Sequence, residues 1–310
     1  MCVVKYLHMS KLVLIDGNAI LHRAFHALPP MTNRRGEPIN AVYGLVSMFL
    51  RVIQDLKPTH IAVCFDEKEK TFRHKEFEGY QAQRPPTAED LSSQFEKARD
   101  FFKAAGVPVY SKGGYEADDV IGTIAEQATK GRKAKEDVVI VTGDRDILQL
   151  VNGRIKLYMP VMGLANAKLF GEPETLARMG VLPTLIDDYK ALVGDPSDNY
   201  PGVPGIGPKT AIKLLEEFGN FQGIYKNLDK IPEKVREKLE RGRKEGEMSK
   251  RLATIIRDVP IETDFEAMGK WRVDSPEVIK LFQEFGFKTL TNRVKSVGKQ
   301  IDEEKQGALF

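Results

Sequence analysis

Nine carboxylates stand where strand-like runs end or where helices begin. Asp16 follows the apolar run Leu12–Ile15, Asp66 follows Ile61–Phe65, and Asp144 and Asp146 follow the run that starts at Val138. Glu116, Asp118 and Asp119 come after Val107–Tyr110 and the pair Gly113-Gly114, at the start of a helical pattern. Asp195 and Asp198 flank a Pro-Ser turn. Any one of them alone reads as a turn residue, an N-cap or a first-turn acid against a helix dipole. Together they read differently, because like charges held close raise one another's pKa and strain a fold. Divalent cations make such a cluster tolerable. Mg²⁺ and Mn²⁺ prefer oxygen ligands, and two ions ~3.5–4 Å apart support phosphodiester hydrolysis. No paired histidines or cysteines offer the nitrogen and sulfur set that zinc favours.

A second constellation is Gly202-Val203-Pro204-Gly205-Ile206-Gly207-Pro208-Lys209-Thr210. Gly205 and Gly207 let another backbone come close, Pro208 suits the first helical position, and the helix N–H groups with Lys209 face an anion. The plain alternative is a tight link between two helices. The pattern Gly-x-Pro-Gly-Ile-Gly-x-Lys-Thr-Ala is nevertheless a fairly specific helix-hairpin-helix signature, whose contacts position duplex DNA without reading its sequence. A third segment, Lys68 to Ser93, interleaves Lys68, Lys70, Arg73, Lys75 and Arg84 with Phe72, Phe77 and Tyr80. Basic groups among aromatics suit single-stranded nucleic acid, although a solvated charged helix explains the same residues.

The elements that must hold these groups alternate. Leu12–Ile15, Ile61–Phe65, Val107–Tyr110 and Val138–Val141 are apolar without alternation, as strands covered on both faces should be. Helical periodicity lies between them at Asn40–Leu56 and Asp118–Thr129. The expected fold is α/β, a mainly parallel central sheet with helices on both faces. Ligands of such sheets bind beyond the carboxyl ends of the strands, where the acids stand. After about residue 175 only helical patterns follow, at Leu182–Leu192, Pro208–Phe218, Pro232–Arg241, Met248–Ile256 and Pro276–Lys295. We therefore expect a core over 10–176, a helical DNA-binding domain over 177–292 and a flexible tail over 293–310. Length agrees, since 310 residues suit about two domains. Two distant cysteines, Cys2 and Cys64, exclude a disulfide framework and fit a reducing, cytoplasmic setting. No apolar run approaches the ~18 residues of a membrane span. The start is too short and polar for a secretory leader, and Met9 is an alternative first residue. Net charge, 47 − 44 = +3, says little about nucleic acid by itself.

In this order the motifs resemble the 5′ nuclease family, most of all the 5′→3′ exonuclease domains of bacterial DNA polymerase I, related to flap endonucleases. The resemblance runs from about Lys11 to Leu290. It rests on Leu-Ile-Asp-Gly-Asn at 14–18, Arg-Ala-Phe-His-Ala at 23–27, Ala-Val-Tyr-Gly at 41–44, Phe-Asp at 65–66 and Phe-Arg at 72–73. It continues through Tyr-Glu-Ala-Asp-Asp at 115–119, Thr-Gly-Asp-Arg-Asp at 142–146, Gly-Asp-Pro-Ser-Asp-Asn at 194–199 and the hairpin from Gly202 to Ala211. The resemblance implies a PIN-like nuclease core with a helix–three-turn–helix subdomain. It implies two Mg²⁺ (or Mn²⁺) ions, with Asp16, Asp66, Glu116, Asp118 and Asp119 around the first and Asp144, Asp146, Asp195 and Asp198 serving the second. It places Phe25 under a base near the scissile phosphate and Arg23 beside that path. It makes 68–93 a helical arch over the 5′ strand, with Tyr80 on it. Gly202, Val203, Gly205, Ile206, Gly207, Lys209 and Thr210 are implied to hold duplex, with a K⁺ ion bridging backbone carbonyls to a phosphate. The implied reaction cleaves near a single-strand/duplex junction, removing flaps and RNA primers, with a nucleoid-associated monomer as the expected form.

One departure stands out. The family usually has Lys after the arch tyrosine; here Tyr80 is followed by Gln81. A neutral amide does not replace that charge, so we expect Arg84, Arg73 or Lys75 to compensate. The sequence ends in Gln306-Gly307-Ala308-Leu309-Phe310, and Gln-x-x-Leu-Phe resembles the peptide that bacterial proteins insert into the sliding clamp. The chain is expected to be either a nuclease that stands alone or the first part of a polymerase. A PIN-type RNase is disfavoured by the hairpin, and a non-catalytic junction binder by the self-repelling acids. Cys64 and Trp271 read as packing residues, and His22, His26, His60 and His74 have no spacing that compels a catalytic role.

Overall fold

The computed structural model describes residues 10–130, 136–162 and 166–307. Its centre is a six-stranded sheet of β1 (Ser10–Asp16), β2 (His60–Cys64), β3 (Val109–Tyr110), β4 (Glu136–Val141), β5 (Ile155–Met162) and β6 (Asn166–Phe170). The order is β3-β2-β1-β4-β5-β6, parallel as far as β5, with β6 antiparallel at the edge. Leu12, Val13 and Leu14 are all fully buried, which explains why the central strands read as continuous apolar runs. The pleat divides them. Leu12, Leu14, Ala62, Cys64, Val138 and Ile140 join one core cluster. Val13, Ile15, Ile61, Val63, Val139 and Val141 join the other.

The first face carries the helix Ala117–Thr129 and the helical region that follows the sheet, so Val203, Ile206, Leu215, Leu239 and Ile255 share its core. The second carries the helices Asn40–Leu56 and Gln94–Ala104 and, unexpectedly, Pro276–Phe285 and Lys288–Gly307. Residues 276–292, expected within the DNA-binding region, thus close the back of the sheet instead. The flexible tail expected over 293–310 is helical as far as Gly307. Leu290, Val294, Val297 and Ile301 form a stripe at helical spacing that packs into the second core, and Lys57 pairs with Glu304 at 2.7 Å. A polar composition concealed that stripe. Gln306 is an exposed helical residue; Leu309 and Phe310, like Met1 and Met9, lie outside the described residues.

Two strands escape a periodicity reading. β5 carries Lys156 and Pro160, with a register irregularity between Pro160 and Met162 opposite β6. β6 is a mostly exposed edge strand in which only Phe170 is buried. Proline at a bulge beside an edge strand is tolerated because few ladder hydrogen bonds are lost. Among the described residues, no helix is long and apolar enough to cross a membrane.

Candidate metal centre and nucleic-acid interface

β1, β2 and β4 are parallel and in register, with Asp16 opposite Cys64 and Ile15 opposite Val141. Their carboxyl ends therefore open on one rim. There a cleft of about 450 Å³ is lined by Asp16, Asp66, Glu116, Asp118, Asp144, Asp146 and Asp198. Three of these carboxylates are held by hydrogen bonds to nearby backbone and hydroxyl groups. Asp16 caps the helix Gly17–Ala27 by accepting from the Ala19 N–H at 2.9 Å, and Thr142 Oγ1 donates to its other oxygen at 2.6 Å. The Ala117 N–H donates to Asp66 Oδ1 at 2.7 Å, tying β2 to the start of the helix Ala117–Thr129. Thr142 Oγ1 accepts from the Asp144 N–H, and Asp144 Oδ1 from the Asp146 N–H.

The acidic loop 194–200 completes the wall. Asp195 and Tyr200 exchange backbone hydrogen bonds at 2.9 and 3.1 Å. The loop's two ends touch: a Cβ on Gly194, at φ +79°, would lie 2.5 Å from the Pro201 carbonyl carbon, so only glycine closes it. Carboxylate oxygens of Asp146, Asp195 and Asp198 lie within 4.8 Å of one another. Lys190, 7% exposed, donates from one ammonium to Asp146 and to Asp195. Motif reasoning passed over this lysine; the available signal was a lone charge in Tyr-Lys-Ala-Leu-Val, since a lysine buried in a helix needs an acid partner.

Electrostatics fits a site built for cations. Burial is the main cause that pushes Asp16 up to about 7, with Asp66 and Asp144 adding to it against two hydrogen bonds. Burial also lifts Glu116 to about 7 against the pull of Arg73, and Asp146 to about 7 against Lys190. Asp118 is raised well above the carboxylate range by burial and by Asp144 and Asp16. Enclosure by the cleft walls raises Asp66. Burial would raise Asp195 too, but Lys190 and Ser197 hold it below the ordinary value. An all-oxygen donor set whose negative charge is under-compensated fits hard divalent ions.

Several expected ligands and contacts have other roles. Asp119 is fully buried and lines no part of the cleft. Its carboxylate accepts from both Arg73 terminal nitrogens, at 2.7 and 2.8 Å, from the Glu116 N–H at 3.1 Å and from the Ile256 N–H at 2.8 Å. With its lone pairs used, Asp119 positions the ligand turn and is not itself a ligand. Arg73, expected to compensate for Gln81, also donates to the Leu252 and Thr254 carbonyls and is not free to meet a phosphate. Lys75 is exposed and does not line the cleft. Arg84 does, and its guanidinium donates to Asp198 at 2.6 Å. His22 and His74, read as bland, also line it.

The segment expected as an arch is not one helix. Phe72–Glu76 and Glu89–Ser92 are short helices joined by turns, and the turn Gly79–Arg84 clasps the acidic loop. Gln81 N–H donates to the Asp198 carbonyl, Gln81 Nε2 to the Asp198 carboxylate and Asn199 Nδ2 to the Gly79 carbonyl. The Tyr80 hydroxyl lies 3.2 Å from Glu116 and 3.3 Å from Asp198, and burial and both acids keep it protonated.

At the hairpin, Pro208 opens the helix Pro208–Phe218 as expected, with Gly205, Gly207 and Lys209 exposed. Gly202, Val203 and Ile206 offer neither side chains nor N–H groups to a phosphate. Their side chains or backbones are buried, and their N–H groups are taken by Ser249 Oγ, the Leu192 carbonyl and the Val203 carbonyl. Lys238 Nζ donates to the Gly205 carbonyl at 3.1 Å. Phe25 is half-buried beside His26, with an exposed part that a base could meet. Arg23 is half-buried, and its guanidinium lies 3.8 Å from where a Cβ on Gly143 would stand.

Comparison with known proteins agrees with this geometry. Residues 11–180 match the family model of the 5′–3′ exonuclease N-terminal resolvase-like domain, and residues 181–276 that of the 5′–3′ exonuclease C-terminal SAM fold. DNA polymerase I of Caldicellulosiruptor bescii is 41% identical over 286 residues, covering 92% of this chain and 33% of the polymerase. That of Bacillus subtilis is 37% identical over 297 residues, covering 96% and 33%. The chain thus spans about a third of the length of the curated relatives it matches. Among solved structures, a bacteriophage T5 flap endonuclease in complex with DNA and metal ions superposes with a TM-score of 0.64 at 19% identity, covering 94% of this chain and 99% of the other. The catalytic core of Rad2 with DNA substrate gives 0.61 at 13%, covering 94% and 92%. At those identities the likeness is one of fold.

Proposed function

The chain belongs to the 5′–3′ exonuclease family, and from that premise we propose that it is a structure-specific, metal-dependent 5′ nuclease that hydrolyses phosphodiesters at single-strand/duplex junctions. The observation that carries the reading is the convergence of seven carboxylates, from β1, β2, β4, one helix start and one loop, on a single cleft. Two Mg²⁺ or Mn²⁺ ions are the proposed cofactors. Asp16, Asp66, Glu116 and Asp118 would hold one, and Asp144, Asp146, Asp195 and Asp198 the other. Ions held by those carboxylates would supply positive charge to a phosphate and lower the pKa of a bound water.

The protein's own groups supply the rest. Arg84, at the cleft mouth, stabilises charge that develops on the scissile phosphate. The Tyr80 hydroxyl, a neutral donor, orients Glu116 and Asp198. Phe25 offers a face for a base, with Arg23 near it. The N–H groups at the start of Pro208–Phe218 have no intrahelical partners and bind backbone phosphate of downstream duplex, with Lys209 adding charge. The Gly205 carbonyl, shared with Lys238, is the proposed place for K⁺. The substrates are DNA with a 5′ flap, nick or RNA primer, and a sliding clamp is the proposed partner of Gln306, Leu309 and Phe310. A core over 10–176, backed by the helices Pro276–Phe285 and Lys288–Gly307, and a duplex-holding region over 177–275 divide the labour.

A labelled 5′-flap duplex, incubated with Mg²⁺ or with EDTA, tests the reading. Cleavage near the junction only with metal is expected. Asp144→Asn should abolish turnover and keep flap affinity within about tenfold, because the acid serves the reaction and not duplex docking. Binding without cleavage would make the chain a junction binder; cleavage of single-stranded RNA alone would make it an RNase.

A further inference from the structure

Lys238 stands in the last turn of the helix Glu233–Arg241 and is half-buried. Its ammonium donates to the Gly205 carbonyl at 3.1 Å, and among the described residues it pairs with no carboxylate. On the following helix, by contrast, Arg243 pairs with Glu247, Lys250 with Asp188 and Arg251 with Glu76. The lysine stem lies across the hairpin turn. A Cβ on Gly205, at φ +84°, would stand 3.2 Å from Lys238 Cδ, 3.3 Å from Cε and 3.4 Å from Nζ, so glycine makes room for it. The end of the helix is fastened to the same turn. The Gly242 N–H donates to the Lys238 carbonyl, and a Cβ on Gly242 would stand 2.7 Å from Pro204 Cδ. A neutral carbonyl steers an ammonium without cancelling its charge, and it leaves the other ammonium donors unspent. Holding a long lysine stem in one conformation costs rotamer freedom that one exposed hydrogen bond to a carbonyl barely offsets.

We propose that Lys238 is a tethered cation of the hairpin: its ammonium, steered by the Gly205 carbonyl, donates to a backbone phosphate of bound duplex DNA. This rests on the duplex-holding reading of the hairpin above. The turn runs on to Gly207 and Lys209, both exposed. A phosphate seated there would draw charge from two elements, Lys209 on the first turn of its own helix and Lys238 on the helix packed against the hairpin. Such a contact reads no base, since phosphate is common to every sequence. It also places positive charge at a carbonyl where a free monovalent cation would otherwise be recruited from solution. Lys238 and K⁺ are then alternatives at one oxygen, and the tethered one is already in place.

The test is binding of the labelled 5′-flap duplex in EDTA, followed by fluorescence anisotropy across a series of tetramethylammonium chloride concentrations, with thermal unfolding of the free protein alongside. Wild type, Lys238→Met, Lys238→Gln and Lys209→Ala are compared. Methionine keeps the stem without the charge, and glutamine keeps a neutral donor for the carbonyl. We expect Lys238→Met and Lys238→Gln each to lower the salt slope by about one and to weaken binding about tenfold at about 0.1 M salt, the share of a single phosphate contact. Both should unfold close to the wild-type temperature. Replacing tetramethylammonium by K⁺ should return part of the affinity to Lys238→Met and none to wild type, because only the variant leaves the Gly205 carbonyl uncovered. A wild-type slope in both Lys238 variants, with a lowered slope in Lys209→Ala, overturns this proposal and leaves the hairpin reading standing. Wild-type affinity in Lys238→Gln, with loss only in Lys238→Met, also overturns it, since the ammonium would then serve only to cap the turn. So does an equal gain from K⁺ in wild type and Lys238→Met. An unchanged slope in Lys209→Ala as well as in the Lys238 variants removes the hairpin reading itself, and this proposal with it.

Discussion

Arg73 and Asp119 form a bidentate ion pair at 2.7 and 2.8 Å, sealed from solvent, between the base of the covering segment and the first turn of the helix that carries Glu116 and Asp118. The same guanidinium reaches the Leu252 and Thr254 carbonyls, so one side chain ties three elements together behind the cleft. Removing one partner of a buried pair leaves the other charge uncompensated and costs about 3–5 kcal/mol. Asp119→Ala and Arg73→Ala should each lower thermal stability by that order in a denaturation experiment. Arg73→Lys should not restore it, because an ammonium lacks the fork. A loss near zero would place the pair in solvent.

Stability of the metal-free protein should depend on pH in an unusual direction. Asp16, Glu116 and Asp146 have ordinary values of 3.8, 4.5 and 3.8 and are pushed up to about 7 in the fold. Between about pH 4 and pH 7 the native state therefore binds more protons than the unfolded chain. Stability then falls as pH rises through that window and levels off above it. In EDTA the melting temperature should be higher at pH 5.5 than at pH 8, and saturating Mg²⁺ should erase the difference. At pH 8 in EDTA, Asp118→Asn should stabilise the protein, since burial and Asp144 oppose its charge. A melting temperature that rises from pH 5.5 to pH 8 would show that internal cations already neutralise the acids.

How much of this was legible in the sequence depends on what each residue does. Asp16, Asp66, Asp144 and Asp146 were readable because strand ends announce themselves as apolar runs followed by an acid. Asp119 was misread, because first-turn acids look alike in sequence and only tertiary packing gives one of them to Arg73. Arg73 was misread for the same reason, from the other side of the pair. The hairpin was found, but the pattern could not separate residues that anchor the turn, Val203 and Ile206, from those that present it, Gly207 and Lys209. β6 was missed because an edge strand buries little, and β5 because Lys156 and Pro160 interrupt its apolar run. The last helix was legible only as far as Lys295, because beyond it two core-packed residues, Val297 and Ile301, stand among many charges and do not dominate a composition.

The hairpin predicts a particular salt response. If phosphate contacts hold the duplex, log affinity falls linearly with log salt. Lys209 is exposed on the first turn of Pro208–Phe218. Lys209→Ala should weaken flap binding similarly across sequences and reduce the salt slope by about one. Val203→Thr, by contrast, should act through stability, because Val203 is buried in the first core. Fluorescence anisotropy across a salt series separates the two, and an unchanged slope in Lys209→Ala would take the hairpin out of the duplex interface.

Gln81 and Arg84 give the sharpest test of how this chain manages without the lysine its family usually places after the arch tyrosine. Gln81 sits at φ +55° and spends both its N–H and its side-chain amide on Asp198, so it locks the turn in place. Arg84 brings the charge, donating to the same carboxylate at 2.6 Å from the cleft mouth. Arg84→Ala should therefore slow single-turnover cleavage by about 10²–10³, the usual cost of one donor to developing charge. Gln81→Lys should change the rate less than about threefold, since it adds a cation where Arg84 already acts and gives up the amide contact to Asp198. A large gain in Gln81→Lys, with little loss in Arg84→Ala, would mean that the cleft lacks a working cation and that Arg84 serves only to hold the turn.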